Sequence, residues 1–265
     1  MFKRIDAISA WSIPVIGSVH IGGLFVYFTY LIPPGSVGVA REYALWWVAG
    51  GVTLWLGGAL NVLRFHYGER APMIVTAALG ANAAMVLYEI WLAANNPDFV
   101  LPLRTLLLAL QVVSTLFTLV AWRSVRKRKL ADPPREEAAL RNGAGLFFAW
   151  LTLIAGAFHA LAVFHFFQPL VQPGSTGPAR EPALWWVSGC VGFCLAALLD
   201  LLRLRLGRRI VPLAWTSLIA TILMFYYLLL VMTADLWYFL IVRVPLLIGL
   251  GGAMIHALRT RPRAV

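Results

Sequence analysis

Long apolar runs separated by short polar or charged segments dominate the chain. A run of roughly 20 such residues crosses the hydrocarbon core of a bilayer as a helix. Eight are present: Trp11 to Ile32, Tyr43 to Leu63, Pro72 to Ala93, Phe99 to Trp122, Leu146 to Phe167, Ala183 to Leu202, Ile210 to Val231 and Leu236 to Leu258. Lys3 and Arg4 ahead of the first run imitate a signal peptide, but the run is too long for an h-region and lacks a convincing small-residue cleavage site. The pattern predicts an all-α integral membrane protein with eight transmembrane helices.

The pattern also repeats. GSVGVAREYALWWVAGG from Gly35 aligns without gaps to GSTGPAREPALWWVSGC from Gly174, identical at 12 of 17 positions with an offset of 139. The same offset pairs Trp11 with Trp150, Gly17 with Gly156, His20 with His159, Arg64 with Arg203, Tyr88 with Tyr227 and Arg104 with Arg243. Each half is therefore a four-helix unit. Four is even, so both copies enter the membrane in the same direction, which predicts parallel repeats about a pseudo-twofold axis along the membrane normal. The division is residues 1–122, a linker over 123–143, and residues 144–265. Gly50, Gly51, Gly57, Gly58 and Ala59 are small enough to permit close helix contacts.

At 61% hydrophobic and 12% charged, the composition excludes an ordinary water-soluble surface. The formal charge of +11 would suggest nucleic acid in a soluble chain. Here alternation of the spans gathers 18 of the 22 cations on one side, so charge sets orientation and no nucleic-acid partner is expected. Both termini and the Arg123 to Arg141 linker then face the cytoplasm of a bacterial-type inner membrane. The basic face is expected to meet anionic headgroups, with a specific protein partner as the alternative use of the linker.

The opposite face holds Arg41, Arg104, Arg180 and Arg243, two repeat pairs, together with Trp46, Trp47, Trp185 and Trp186. Tryptophan pairs at a span end predict an interfacial aromatic belt. The arginines are expected to contact lipid headgroups or anions, or to pair locally with Glu42, Glu181, Asp98 and Asp235.

Within the membrane, His20 and His159 sit at equivalent depth, each three residues after a glycine. Hydrogen bonding to a neighbouring helix is their plain use. A proton or solute site is the sharper one, and axial ligation of a haem iron is the version that names a metal and a cofactor. Glu89 is the carboxylate well inside a span, and its repeat partner is Leu228. Asn61 and Asp200, each three residues before an arginine, are expected to pair with Arg64 and Arg203. His66, His165 and His256 have no histidine counterparts and receive no role. Cys190 and Cys194, four apart on one helix, read as small packing residues.

No phosphate loop, HExxH, G-x-S-x-G or histidine-rich cluster is present, so nothing motivates an enzyme. The leading expectation is movement of a small solute or ion through a site between the two halves, lined by His20, His159 and Glu89. The alternative is a haem- or quinone-binding or structural subunit of a membrane electron-transfer or photosynthetic complex.

Overall fold

A computed structural model describes the backbone of residues 2–31, 39–95, 102–127, 143–166, 181–206, 209–232 and 240–260, and the side chains of 2–23, 47–94, 105–126, 143–162, 187–206, 209–229 and 243–260. Among the described residues the chain is all-helical: α1 (Phe2–Leu31), α2 (Val39–Tyr67), α3 (Pro72–Asn95), α4 (Pro102–Lys127), α5 (Gly143–Phe166), α6 (Glu181–Leu206), α7 (Val211–Met232) and α8 (Leu240–Arg259). Helices α1 to α7 are each long and apolar enough to cross a membrane. For α8, residues 233–239 of the expected span lie outside the described residues, as do residues 128–142 of the linker. Helix α1 starts at Phe2, well before Trp11, because a helix satisfies its own backbone and so continues through polar residues such as Lys3, Arg4 and Asp6.

The chain forms two compact units, one of Met1–Ile16 with Leu54–Ala139 and one of Gly17–Thr53 with Leu140–Val265, so α1 and α2 each contribute to both. In the first unit α3 packs on α4. Gly58 of α2 lies so close to α1 that a Cβ would fall 2.3 Å from Cδ of Pro14, which makes glycine the residue that lets the two backbones approach. In the second unit α5 packs on α6 and α8, and α7 packs on α6 and α8, closing a four-helix ring. Phe147, Trp150, Ile154, Phe158 and Leu161 follow helical spacing along the exposed side of α5. A bare apolar stripe of that size is what a lipid-facing helix presents.

The α2–α3 connection bonds Arg70 N to Tyr67 O at 3.0 Å, Ala71 N to Tyr67 O at 2.9 Å and Ile74 N to Ala71 O at 2.9 Å. The α6–α7 connection bonds Arg209 N to Leu206 O at 2.9 Å, Ile210 N to Leu206 O at 3.0 Å and Leu213 N to Ile210 O at 3.0 Å. Each bond of the first set corresponds to one of the second at the offset of 139. Within the second unit, Thr53 of α2 donates through Oγ1 to the Ser188 carbonyl of α6 at 2.8 Å. A Cβ on Gly192 would lie 2.6 Å from that same Oγ1. Thr53 and Gly192 are themselves 139 residues apart.

Candidate functional site

Asn61 of α2 and Asn82 of α3 are buried and face each other amide to amide. Asn61 Nδ2 donates to Asn82 Oδ1 at 2.7 Å, and Asn82 Nδ2 donates to Asn61 Oδ1 at 2.9 Å. The second hydrogen of Asn61 goes to the Gly57 carbonyl at 3.0 Å, and the second of Asn82 to Thr118 Oγ1 at 3.2 Å. Ser114 Oγ adds a bond to Asn61 Oδ1 at 2.9 Å. Every donor of the pair is used, so the knot holds α2, α3 and α4 together and leaves nothing for a ligand.

One step along α4 the accounting changes. Gln111 lies on the same side of the helix as Ser114 and Thr118, three and seven residues on. Its side chain is 1% exposed, and neither Nε2 nor Oε1 has a hydrogen-bond partner among the described residues. The position is six residues after Thr105, about 9 Å along the helix from that residue. The pairing of Asn82 with Thr118 sets the register of the antiparallel α3–α4 pair, and seven residues further along each partner stand Glu89 and Gln111. A seven-residue step returns to nearly the same helix face. Glu89 is half-buried and already engaged in an interaction.

The two histidines have different surroundings. The His20 ring stacks on Trp47, with centroids 4.3 Å apart and planes 9° from parallel. Its Nε2 lies 3.1 Å from the Trp47 carbonyl, and Trp47 Nε1 donates to the His20 carbonyl at 2.8 Å. A carbonyl only accepts, so Nε2 carries the hydrogen. This indole is turned to α1, where it clamps the α1–α2 hairpin. His159 is buried, with its ring edge-on to Phe193 at 6.5 Å, and Phe193 lies 5.9 Å from the Tyr227 ring. Arg243, 1% exposed, lies within electrostatic reach of His159 and Cys190.

Arginine and acid meet near the C-terminal ends of α2 and α6. Arg64 binds both carboxylate oxygens of Asp6 on α1, Nη1 to Oδ2 at 3.0 Å and Nη2 to Oδ1. Arg203 donates from Nε to Asp200 Oδ1 at 2.7 Å, from Nη1 to Thr260 Oγ1 at 2.9 Å and from Nη2 to His256 Nδ1 at 2.9 Å. Ser217 Oγ adds a second bond to Asp200 Oδ1 at 3.2 Å.

Sequence spacing pairs Asp200 with Arg203 correctly. Its equivalent for Asn61 and Arg64 is corrected here: Arg64 takes its acid from α1, and Asn61 turns to Asn82. His256 gains a partner that its lack of a repeat counterpart had hidden. Cys190 and Cys194 are free, and Cys194 Sγ is 3.8 Å from the Leu153 carbonyl. The side chains of Arg41, Arg104, Arg180, Trp46, Trp185, Trp186 and His165 lie outside the described residues. Among the described residues no three His, Cys, Asp or Glu side chains converge as a metal site would require. Comparison with protein-family models, curated proteins and solved structures found no match.

Proposed function

We propose that the protein moves a small polar solute or ion across a membrane. The observation that carries this reading is Gln111: an amide buried in an apolar bundle with both its oxygen and its nitrogen unmatched costs about 1–3 kcal/mol per group. A fold that needed only helix adhesion has that already in the Asn61–Asn82 knot. Gln111 offers a donor and an acceptor, and Glu89, at the same register on α3, offers a carboxylate to anything the amide coordinates.

The duplication belongs to the same proposal. Eight spans form two parallel four-helix repeats, and support comes from the backbone bonds that recur at 139 residues and from the meeting of Thr53 with Gly192. A contact between repeat partners is what an axis relating two parallel copies produces. In this reading the termini and the basic linker lie in the cytoplasm of a bacterial-type inner membrane, among anionic headgroups, because 18 of 22 cations fall on that side.

The original lining of His20, His159 and Glu89 between the halves narrows to Glu89 with Gln111. His20 serves its hairpin, and its Nε2 has no lone pair to offer an iron, so the haem-bridging alternative gains no support from it.

The test is reconstitution in liposomes with currents recorded on solid-supported membranes after jumps of proton, sodium, potassium and amino-acid concentration. Wild type should give a transport current, and Gln111→Leu and Glu89→Gln should each remove it while inserting normally. A wild type silent to every jump, or variants that carry the wild-type current, would overturn the proposal.

A further inference from the structure

The Arg203 cluster contains two more unmatched atoms. Asp200 Oδ2 and His256 Nε2 are buried and have no hydrogen-bond partner among the described residues. Both follow from how the guanidinium is shared. Nε and Nη2 form one edge of the arginine fork, the edge that ordinarily grips both oxygens of a single carboxylate. Here that edge is divided, Nε to Asp200 Oδ1 and Nη2 to His256 Nδ1. The division leaves Asp200 Oδ2 with no donor. It also fixes the imidazole: an arginine only donates, so Nδ1 accepts, and the ring is the neutral form with its hydrogen on Nε2.

We infer that Asp200, held by Arg203 and His256, is an exchangeable proton-binding site inside the second unit. One proton taken from water adds to Oδ2 and is returned from it, so the carboxylate becomes a carboxyl and the cluster gains one positive charge. Nothing else in the cluster has to move, because Oδ1 keeps its bonds from Arg203 and Ser217. The imidazole is the poorer acceptor, since a hydrogen on Nδ1 would meet the Nη2 hydrogen and break that bond. The charged and polar groups facing the site are Arg203 from α6, Ser217 from α7, and His256 and Thr260 from α8. The N-terminal stretch of α5, Gly143 to Leu151, brings no titratable side chain, and Arg205, Arg209 and Arg259 are exposed.

The corresponding place in the first unit has no such opening. Arg64 grips both oxygens of Asp6, and the residue matching Asp200 is the neutral Asn61. The proton site stands on this geometry alone; its use in coupling proton movement to solute movement rests on the transport reading above.

The test is infrared difference spectroscopy of the detergent-solubilised full chain, stepping from about pH 8 to about pH 5. A protonated-carboxyl C=O band should rise on acidification, vanish in Asp200→Asn and survive in Glu89→Gln. Asparagine preserves the Oδ1 acceptor and is the residue the chain already carries at position 61. Should that variant fail to insert, Ser217→Ala gives the second reading, because removing a donor to Oδ1 must move the band's frequency. A band that never appears, one that stands unchanged at every pH, or one that ignores both substitutions would each overturn the inference. This readout needs no flux, so a failed transport assay and a failed proton site remain distinguishable.

Discussion

Arg64 and Arg203 hold matching positions on α2 and α6, both are buried, and each binds one aspartate, yet the two aspartates come from different places. Asp6 reaches Arg64 from α1, and its side chain remains 16% exposed. The residue matching Asp6 on α5 is Gly145, so Arg203 has no acid from that direction. Its partner is Asp200 on its own helix, 1% exposed, where the first copy has Asn61. Moving the acid by one helix changes its surroundings. Asn82, Ser114 and Thr118, which complete the amide knot, become Thr221, Ala253 and Ala257. Phe117 becomes His256, which takes the part of the guanidinium that one local carboxylate leaves over. The comparison teaches that an ion pair drawn from a neighbouring helix closes on both oxygens, whereas one drawn from the same helix is held through one oxygen and leaves the other open.

The largest expected effect separates the two arginines. Arg203→Leu strands a carboxylate that has almost no access to water, which costs about 3–5 kcal/mol. Arg64→Leu strands Asp6, whose partial exposure gives it water to bind, so the loss should be nearer 1–3 kcal/mol. Denaturant unfolding in mixed micelles, followed by circular dichroism, compares them directly. Equal losses would mean that the placement of the acid has no energetic consequence.

A double variant sharpens the same point. Asp200→Asn alone leaves Arg203 without a counter-charge, and Gly145→Asp restores an acid in the manner of the first copy, near the N-terminus of α5 where a carboxylate is favoured. The pair should be less destabilised than the sum of the single variants by about 0.5–3 kcal/mol, the range of couplings between contacting residues. Strict additivity would show that Gly145 does not occupy the role that Asp6 plays.

Most of the fold was legible because its cause is written locally. Twenty apolar residues cannot remain in water, and each such run had to become a helix; the repeated Trp-Trp segment placed α2 and α6 in correspondence before any coordinates. The residues that carry the chemistry were less legible for a physical reason. Gln111, Ser114 and Thr118 are single polar side chains within apolar runs, and their weight vanishes when hydropathy is averaged over a span. A seven-residue period of polar groups along α4 was the available signal, and matching it with Asn61 and Asn82 required knowing that α3 and α4 pack antiparallel. Spacing found Asp200 with Arg203 because that contact is local. It misassigned Arg64 because Asp6 lies 58 residues away. His256 was passed over for lacking a repeated partner, although the difference between the copies is what gives it a role.

The smallest expected effect concerns Ser217. Its hydroxyl donates to Asp200 Oδ1 at 3.2 Å, while Arg203 Nε reaches the same oxygen at 2.7 Å with a full charge behind it. The neutral bond is the longer and weaker of the two. Ser217→Ala should therefore cost no more than about 1 kcal/mol, since Oδ1 keeps its charged donor and the small methyl group leaves little space to fill. The first copy makes the same substitution naturally, with Ala78 at the matching position, buried and tolerated. A loss approaching that of Arg203→Leu would mean that the serine, and not the arginine, holds Asp200 in place. The division of the guanidinium edge would then no longer explain why Oδ2 stands open.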